Sequence, residues 1–182
     1  MAADGPELLL RAAAGDRTAF EAFVRRWEGP LFRFLRRVTR NDDLADEARQ
    51  RTFVRVLTRG GSFRGGAVST WLFRTAYRVA LDLLRSERRR ATESLDAEEP
   101  VADAAPGPFD AAASDDEGVR VRAALDRLDP DERAMVWLRA AEGTSFAEAA
   151  RILEIPESTA RLRFVRGLAR IRRGLSVAVE EE

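Results

Sequence analysis

The region from residue 158 to residue 173 holds six arginines and no acidic residue. Four of them, from Arg163 to Arg173, follow one another at spacings of three, four and three, which places them on one side of a helix. A guanidinium group can pair bidentately with a phosphate or with the O6 and N7 atoms of guanine. The pattern therefore indicates a surface that binds a polyanion, although RNA, an acidic partner and a membrane surface fit an arginine-rich helix as well as DNA does.

Two helix start signals precede this region. Asp129 can cap a helix that has Pro130 at its first position and Glu132 closing a capping box, and we expect that helix to stop at Gly143. A second capping box predicts a short helix over residues 146–153, which a tight turn joins to the arginine-rich helix. Helix, turn and helix in this order are typical of a helix-turn-helix, which favours DNA over the other polyanions.

The second helix of such a motif enters the major groove with its first turn. The predicted DNA-binding residues are Ser158, Thr159, Arg161, Arg163, Arg166 and Arg170. Either of the first two is expected to cap the helix, and both offer hydroxyl groups and backbone amides to the DNA. The next two can reach base edges, and the last two are expected to hold the phosphate backbone.

A second basic helix face lies in the first half of the chain. Ser69 or Thr70 is expected to cap a helix from Trp71 to about Arg89, with arginines recurring along one side. The helix follows a glycine-rich loop over residues 62–68. The candidate residues here are Phe63, Arg64, Trp71, Arg74 and Arg78. Arginines interleaved with aromatic side chains suit a single strand with unstacked bases, whereas core packing of the aromatics and a solvated arginine face are the alternatives.

Two further helices are predicted ahead of this loop. Asp16 can cap a helix whose pattern Pro30 interrupts and which continues to about Arg40. Asn41 or Asp42 can cap the next helix, which should stop at the Gly60-Gly61 pair.

The net charge of zero is a sum of unlike parts. Residues 1–90 hold 19 arginines and 11 acids, residues 91–119 hold no arginine and nine acids, and residues 120–182 hold 12 arginines and 11 acids. The acidic middle part has few apolar residues to offset its ordering entropy. We therefore expect an all-α protein of two small helical domains, 1–90 and 120–182, joined by a flexible acidic linker over 91–119.

The residue types exclude several kinds of chemistry. The chain contains neither Cys nor His, and all its basic residues are arginine. Disulfides, a Cys/His zinc site, a thiolate nucleophile and an imidazole base are thereby excluded, and we expect no metal, no cofactor and no catalysis. A carboxylate enzyme using Asp82 or Glu87 is disfavoured because nothing pairs these residues. Without an apolar run of about 20 residues or a signal peptide pattern, we expect a cytoplasmic protein without membrane insertion.

Nearly the whole chain resembles bacterial RNA polymerase sigma factors of the sigma-70 class, extracytoplasmic-function (ECF) group. The matching stretches are residues 31–35, 45–53, 69–74 and 80–85 in the first domain, and 125–130, 133, 142–150 and 158–161 in the second. Their order, their spacing and the acidic segment between them make the combined match specific. The chain departs from the family pattern at Arg49, Arg51, Arg78, Ala160 and Leu162.

The resemblance implies a region 2 domain and a region 4 domain. Region 2 would dock on core RNA polymerase through Asp46, Glu47, Gln50 and Phe53 and would melt the −10 promoter element, with a flipped base held by the 62–68 loop. Region 4 would read the −35 element. The linker would thread toward the RNA channel of the polymerase, and an anti-sigma factor is an expected partner. The alternative is a helix-turn-helix regulator that binds promoter DNA without joining polymerase.

Overall fold

The computed structural model describes residues 5–93 and 123–180. These residues fall into two separate units and contain helices, turns and loops but no β-strand, which confirms the predicted all-α class. Most of the predicted acidic linker, residues 94–119, lies outside the described residues. No helix in the described ranges is long and apolar enough to cross a membrane.

The first unit is a bundle of four helices. They are α1 (Gly5–Ala13), α2 (Arg17–Thr39), α3 (Asp42–Arg59) and α4 (Val68–Glu93), with a 3₁₀ turn at Gly60–Ser62 after α3. The long helix α2 packs against the other three, and α3 also packs on α4. The largest fully buried side chains of this unit are Leu9, Phe23, Leu31, Phe34, Leu35, Val38, Val56, Leu72 and Val79. These residues form the apolar core that holds α3 and α4 in place.

Two of the predicted helix caps in this unit are confirmed. The Asp16 carboxylate accepts a hydrogen bond from the Ala19 backbone N–H at 3.0 Å, and the Asn41 side chain accepts one from the Leu44 N–H at 2.8 Å. The Ala19 N–H, together with the Arg11 guanidinium, holds the pKa of Asp16 below its usual value. Both caps act within a few residues, which is why the local sequence predicts them.

Two predicted boundaries in this unit are wrong. Pro30 lies inside an unbroken α2, because buried side chains continue on the same face before and after it and their packing outweighs the missing hydrogen bond. Helix α4 begins at Val68, which is buried, so Ser69 and Thr70 lie in its first turn instead of capping it. Its far end is Glu93, so the first residues of the predicted linker are helical.

The second unit contains a helical turn over residues 123–126 and three helices. They are α5 (Pro130–Ala140), α6 (Phe146–Leu153) and α7 (Glu157–Glu180), and each of the three packs on the other two. Asp129 caps α5 by accepting from the Glu132 N–H at 2.8 Å, and the capping box of Ser145 and Glu148 at α6 is complete. A left-handed Glu154 then ends α6, so the turn into α7 takes three residues.

Two details of the second unit differ from expectation. The Glu132 carboxylate, which we expected to close a capping box, instead accepts a hydrogen bond from Arg170 at 2.6 Å. Helix α7 starts at Glu157, and the Pro156 carbonyl accepts its first backbone hydrogen bond, from Ala160. Ser158 and Thr159 therefore lie in the first turn of α7 and do not cap it.

The capping box of α6 should make the second unit sensitive to acid. The Ser145 backbone N–H, and then its hydroxyl, hold the pKa of Glu148 below its usual 4.5. Because the folded pKa is lowered, this stabilisation is complete above the unfolded value and is lost as the pH falls through the folded one. We expect the urea concentration at the midpoint of unfolding to decrease as the pH is lowered from about 5 to about 3. The substitution Glu148→Gln should weaken this pH dependence. An unchanged pH profile in the variant would assign the effect to other carboxylates.

Gly167 allows α7 to approach α5 closely. A Cβ at this position would lie 2.8 Å from the Val136 Cγ2, and Val136 is buried and β-branched. We expect Gly167→Ala to destabilise the second unit by about 1 kcal/mol, because overpacking by ~1–3 kcal/mol exceeds the gain of ~1 kcal/mol in helix propensity. Thermal unfolding of the variant measures this destabilisation. Combining it with Val136→Ala should give a loss smaller than the sum of the single losses, whereas strict additivity would contradict the contact.

Candidate nucleic-acid interface

Two sides of α7 have different surroundings. Ala160 and Gly167 are buried on the side that faces α5 and α6. The opposite side exposes Ser158, Arg161 and Arg166 to solvent, and Thr159 is half-buried between the two sides. Three of the six predicted DNA-binding residues therefore lie on this side, and Arg170 is exposed as well, with 48% of its side chain accessible.

Arg163 and Arg170 are engaged inside the unit. The Arg163 Nη1 lies 2.6 Å from the Asp131 Oδ2, and the Arg170 Nη1 lies 2.6 Å from the Glu132 Oε2 and 3.8 Å from the Asp129 Oδ2. The Glu132 side chain is only 7% exposed. These pairs hold α7 across the first turn of α5, where acidic side chains also interact favourably with the helix dipole. The predicted arginines of α7 thus form two groups. Arg163 and Arg170 pair with acids of α5, whereas Arg161 and Arg166 do not.

Arg161 is held in a defined position at the start of α7. Its Nη2 lies 2.5 Å from the Glu157 Oε1, and its guanidinium carbon lies 4.6 Å from the centre of the Phe146 ring. Arg139 lies over the same ring at 4.3 Å. Cation–π contacts of this kind orient a guanidinium while its N–H groups stay available. Phe146 was not among the predicted site residues, and its signal is an aromatic residue at the first position of the short helix.

Arg166 is exposed and makes no ion pair within the described residues. It follows Arg161 by five residues, so the two are separated by about 7.5 Å along the helix axis and by about 140° around it, and they lie at opposite edges of the exposed side. That distance is within reach of neighbouring phosphates or base pairs of a duplex. Arg161 and Arg166 are the arginines of the predicted set that are best placed for a bound nucleic acid.

The loop before α4 brings the predicted aromatic residues together. The Phe63 and Trp71 rings meet edge to face, with centroids 6.5 Å apart, and both side chains are half-buried. Gly65 and Gly66 between them adopt positive φ angles of 100° and 89°, which a residue with a Cβ rarely adopts. Partial exposure leaves each ring surface on which a base can stack.

The predicted arginines of this region lie around the aromatic pair and along α4. Arg64 is exposed and donates to the Gly61 carbonyl at 3.2 Å, Arg74 is half-buried, and Arg78 is exposed. Farther along α4, Arg88 and Arg89 are exposed and carry no ion pair among the described residues. The loop and α4 together form a basic surface with aromatic side chains at one end.

Helix α3 carries the predicted polymerase-docking residues. Gln50 is exposed and donates to Asp46 at 2.6 Å, while Asp46 and Glu47 are half-buried. Both acids pair with the unusual arginines of this helix, since Arg49 binds Asp46 and Arg51 lies 2.6 Å from Glu47. The charges of this surface are therefore largely neutralised within α3.

Phe53 does not belong to this surface. It is only 9% exposed, and its ring meets that of Phe20 edge to face at 6.4 Å, so it is a core residue. The exposed apolar residues next to Gln50 are Val54 and Leu57, at 57% and 41% exposure. Neither was among the predicted docking residues, although their spacing of four and seven from Gln50 places them on the same side of the helix.

None of the described residues form a group of three or more acids, His or Cys that could hold a metal ion.

Comparisons with known proteins agree with this arrangement. The family model Sigma-70 region 2 matches residues 23–90, and the model Sigma-70, region 4 matches residues 118–171. The ECF RNA polymerase sigma factor SigM of Mycobacterium tuberculosis is 36% identical over 168 residues, which cover 92% of this chain and 82% of SigM. The RNA polymerase sigma factor CarQ of Myxococcus xanthus is 34% identical, covering 87% of this chain and 90% of CarQ.

Two solved structures share the fold. CnrH, in complex with the cytosolic domain of CnrY, is 25% identical and gives a TM-score of 0.69 over 96% of this chain and 99% of CnrH. The sigma factor RpoE from Bartonella quintana, in complex with the anti-sigma factor NepR, is 23% identical and gives a TM-score of 0.74 over 87% of this chain and 97% of RpoE. With both sigma regions matched in order and a relative more than 30% identical along most of its length, the chain belongs to the ECF group of the sigma-70 family of RNA polymerase sigma factors.

Proposed function

We propose that this chain binds core RNA polymerase and directs it to promoters, so that transcription initiates at specific sites. The observation that carries the proposal is the presence, in one chain, of two different basic surfaces. One is the solvent side of α7 in a helix-turn-helix, and the other is the loop and α4 with Phe63 and Trp71. A duplex reader needs the first surface, whereas a strand-melting function needs the second.

The second unit reads the −35 element in this proposal. The first turn of α7 enters the major groove, with Arg161 held by Phe146 toward base edges and Arg166 toward base edges or phosphates. Ser158 and Thr159 contribute hydroxyl groups near the backbone. Arg163 and Arg170 act indirectly, because their ion pairs with α5 fix the angle at which α7 is presented.

The first unit binds the melted −10 strand. An unpaired base stacks on Phe63 or Trp71 in the 62–68 loop, while Arg64, Arg74 and Arg78 contact the phosphates that follow. The exposed side of α3, formed by Asp46, Glu47, Gln50, Val54 and Leu57, docks on core polymerase.

We also propose that an anti-sigma factor inhibits this chain in the cytoplasm. The complexes of RpoE with NepR and of CnrH with CnrY support this partner class. The exposed apolar side chains of α3 offer such a protein the same docking surface that polymerase uses.

Transcription in vitro tests the proposed function. Purified core polymerase is supplied with the chain and with genomic fragments, and the 5′ ends of the transcripts are sequenced. We expect start sites with a shared pair of upstream motifs. A chain without residues 1–90 should give no transcripts. If the full chain also gives none and the shortened chain still footprints duplex DNA, the helix-turn-helix regulator is the correct alternative.

A further inference from the structure

Two exposed apolar side chains lie within the arginine surface of α7. Leu162 is 48% exposed and Val165 is 62% exposed, and they lie three residues apart in the second and third turns of the helix. Residues four apart are neighbours on a helix surface, so Val165 lies next to Arg161 and Leu162 lies next to Arg166. The helix therefore presents an apolar pair flanked on both sides by positive charge.

The core of the second unit, among the residues that the structure describes, does not include this pair. The buried side of α7 is formed by Ala160 and Gly167, and Phe164 meets Phe146 edge to face at 5.6 Å. Exposed single apolar residues are ordinary, but here two neighbouring ones lie on the exposed side of a recognition helix, in the two turns that follow the one entering the groove. This placement points to a ligand that the pair contacts.

The charge around the pair identifies the ligand class. No acidic residue occurs between positions 158 and 173, so a polyanion is the complementary surface. In the major groove, the apolar group on a base edge is the C5-methyl group of thymine. We propose that Leu162 and Val165 contact thymine methyl groups, so that this sigma factor requires A·T pairs at defined positions of its −35 element. This inference rests on the proposed function and adds a specificity determinant to it.

Deoxyuridine tests the contact, because it differs from thymine by that methyl group alone. Holoenzyme binding is measured on a promoter found by the transcription experiment, with each thymine of the −35 element replaced in turn on either strand. We expect a loss of roughly fourfold in affinity per contacted methyl group, the factor that burial of one such group gives. A holoenzyme carrying Leu162→Ala or Val165→Ala should bind equally well with thymine or deoxyuridine at the base that the substituted side chain contacts.

A matched control lies on the same helix. Leu168 is 43% exposed but lies in the later turns, so Leu168→Ala should keep the full response to deoxyuridine. Equal binding of all thymine and deoxyuridine promoters by the unchanged chain, or a −35 element without A·T pairs, would overturn the inference while leaving the proposed function intact. Weaker assembly of the Leu162→Ala or Val165→Ala holoenzyme, without any change in the deoxyuridine response, would assign the pair to a protein contact and overturn it too.

Discussion

Replacing Val54 with Asp should lower the affinity of this sigma factor for core RNA polymerase by about 30- to 100-fold. The side chain is 57% exposed on α3, beside Gln50 and Leu57, so the substitution alters the proposed docking surface and not the core. A buried, unpaired carboxylate in a protein interface loses its hydration without gaining a partner. Titration of labelled core polymerase with the variant measures the loss directly.

Two substitutions in the same unit serve as controls. Leu10→Asp places the same charge on an apolar side chain that is 44% exposed on α1, and it should bind polymerase normally. Phe53→Ala removes a core ring and should destabilise the unit by about 3–5 kcal/mol, which circular dichroism during heating would detect. Normal polymerase binding by Val54→Asp, with the same loss caused by Leu10→Asp, would place the docking surface on α1.

The two arginines of α3 that depart from the family pattern explain why the expected loss of affinity depends on apolar side chains. Arg49 and Arg51 pair with Asp46 and Glu47, so the acids have little free charge to offer a basic partner. A docking surface with internally paired charges depends more on the burial of Val54 and Leu57 than on ion pairs across the interface.

The sequence predicts the features of this fold that depend on neighbouring residues. The caps at Asp16, Asn41 and Asp129 and the capping box of Ser145 are correct, because each hydrogen bond spans about three residues. The order of helices and the helix-turn-helix follow from them. Features that depend on tertiary packing were not predictable in this way, as the unbroken helix through Pro30 demonstrates.

The same distinction applies to the candidate site. Phe53 and Val54 are adjacent and both apolar, and only the position of α2 decides that the first is buried against Phe20. Arg170 pairs with Glu132, which lies 38 residues earlier, so no local pattern separates it from Arg166. The local spacing of the arginines predicts a basic side of α7, but it does not separate the arginines that pair with α5 from those that do not.

The second large expected effect comes from the difference between the arginines of α7 that pair with α5 and those that do not. Arg161→Ala and Arg166→Ala should each lower promoter affinity of the holoenzyme by roughly 10- to 100-fold, because each removes a contact to a base or phosphate. Where the contact is to a phosphate, the slope of log affinity against log salt should become shallower by about one. Filter binding or fluorescence anisotropy over a series of salt concentrations measures both quantities.

Arg163→Ala and Arg170→Ala remove the same charge from the same helix and should behave differently. Both arginines bind acids of α5, and the loss of Arg170 leaves the buried Glu132 carboxylate without its donor. We expect the free energy of unfolding of the second unit to fall by about 1–2 kcal/mol, with the salt slope nearly unchanged. If all four substitutions changed the salt slope equally, the ion pairs with α5 would open on DNA, and the whole arginine row would bind phosphate. If instead the salt slope changes only for Arg161→Ala and Arg166→Ala, these two arginines contact the promoter. The ion pairs of Arg163 and Arg170 with α5 then set the orientation from which they reach it.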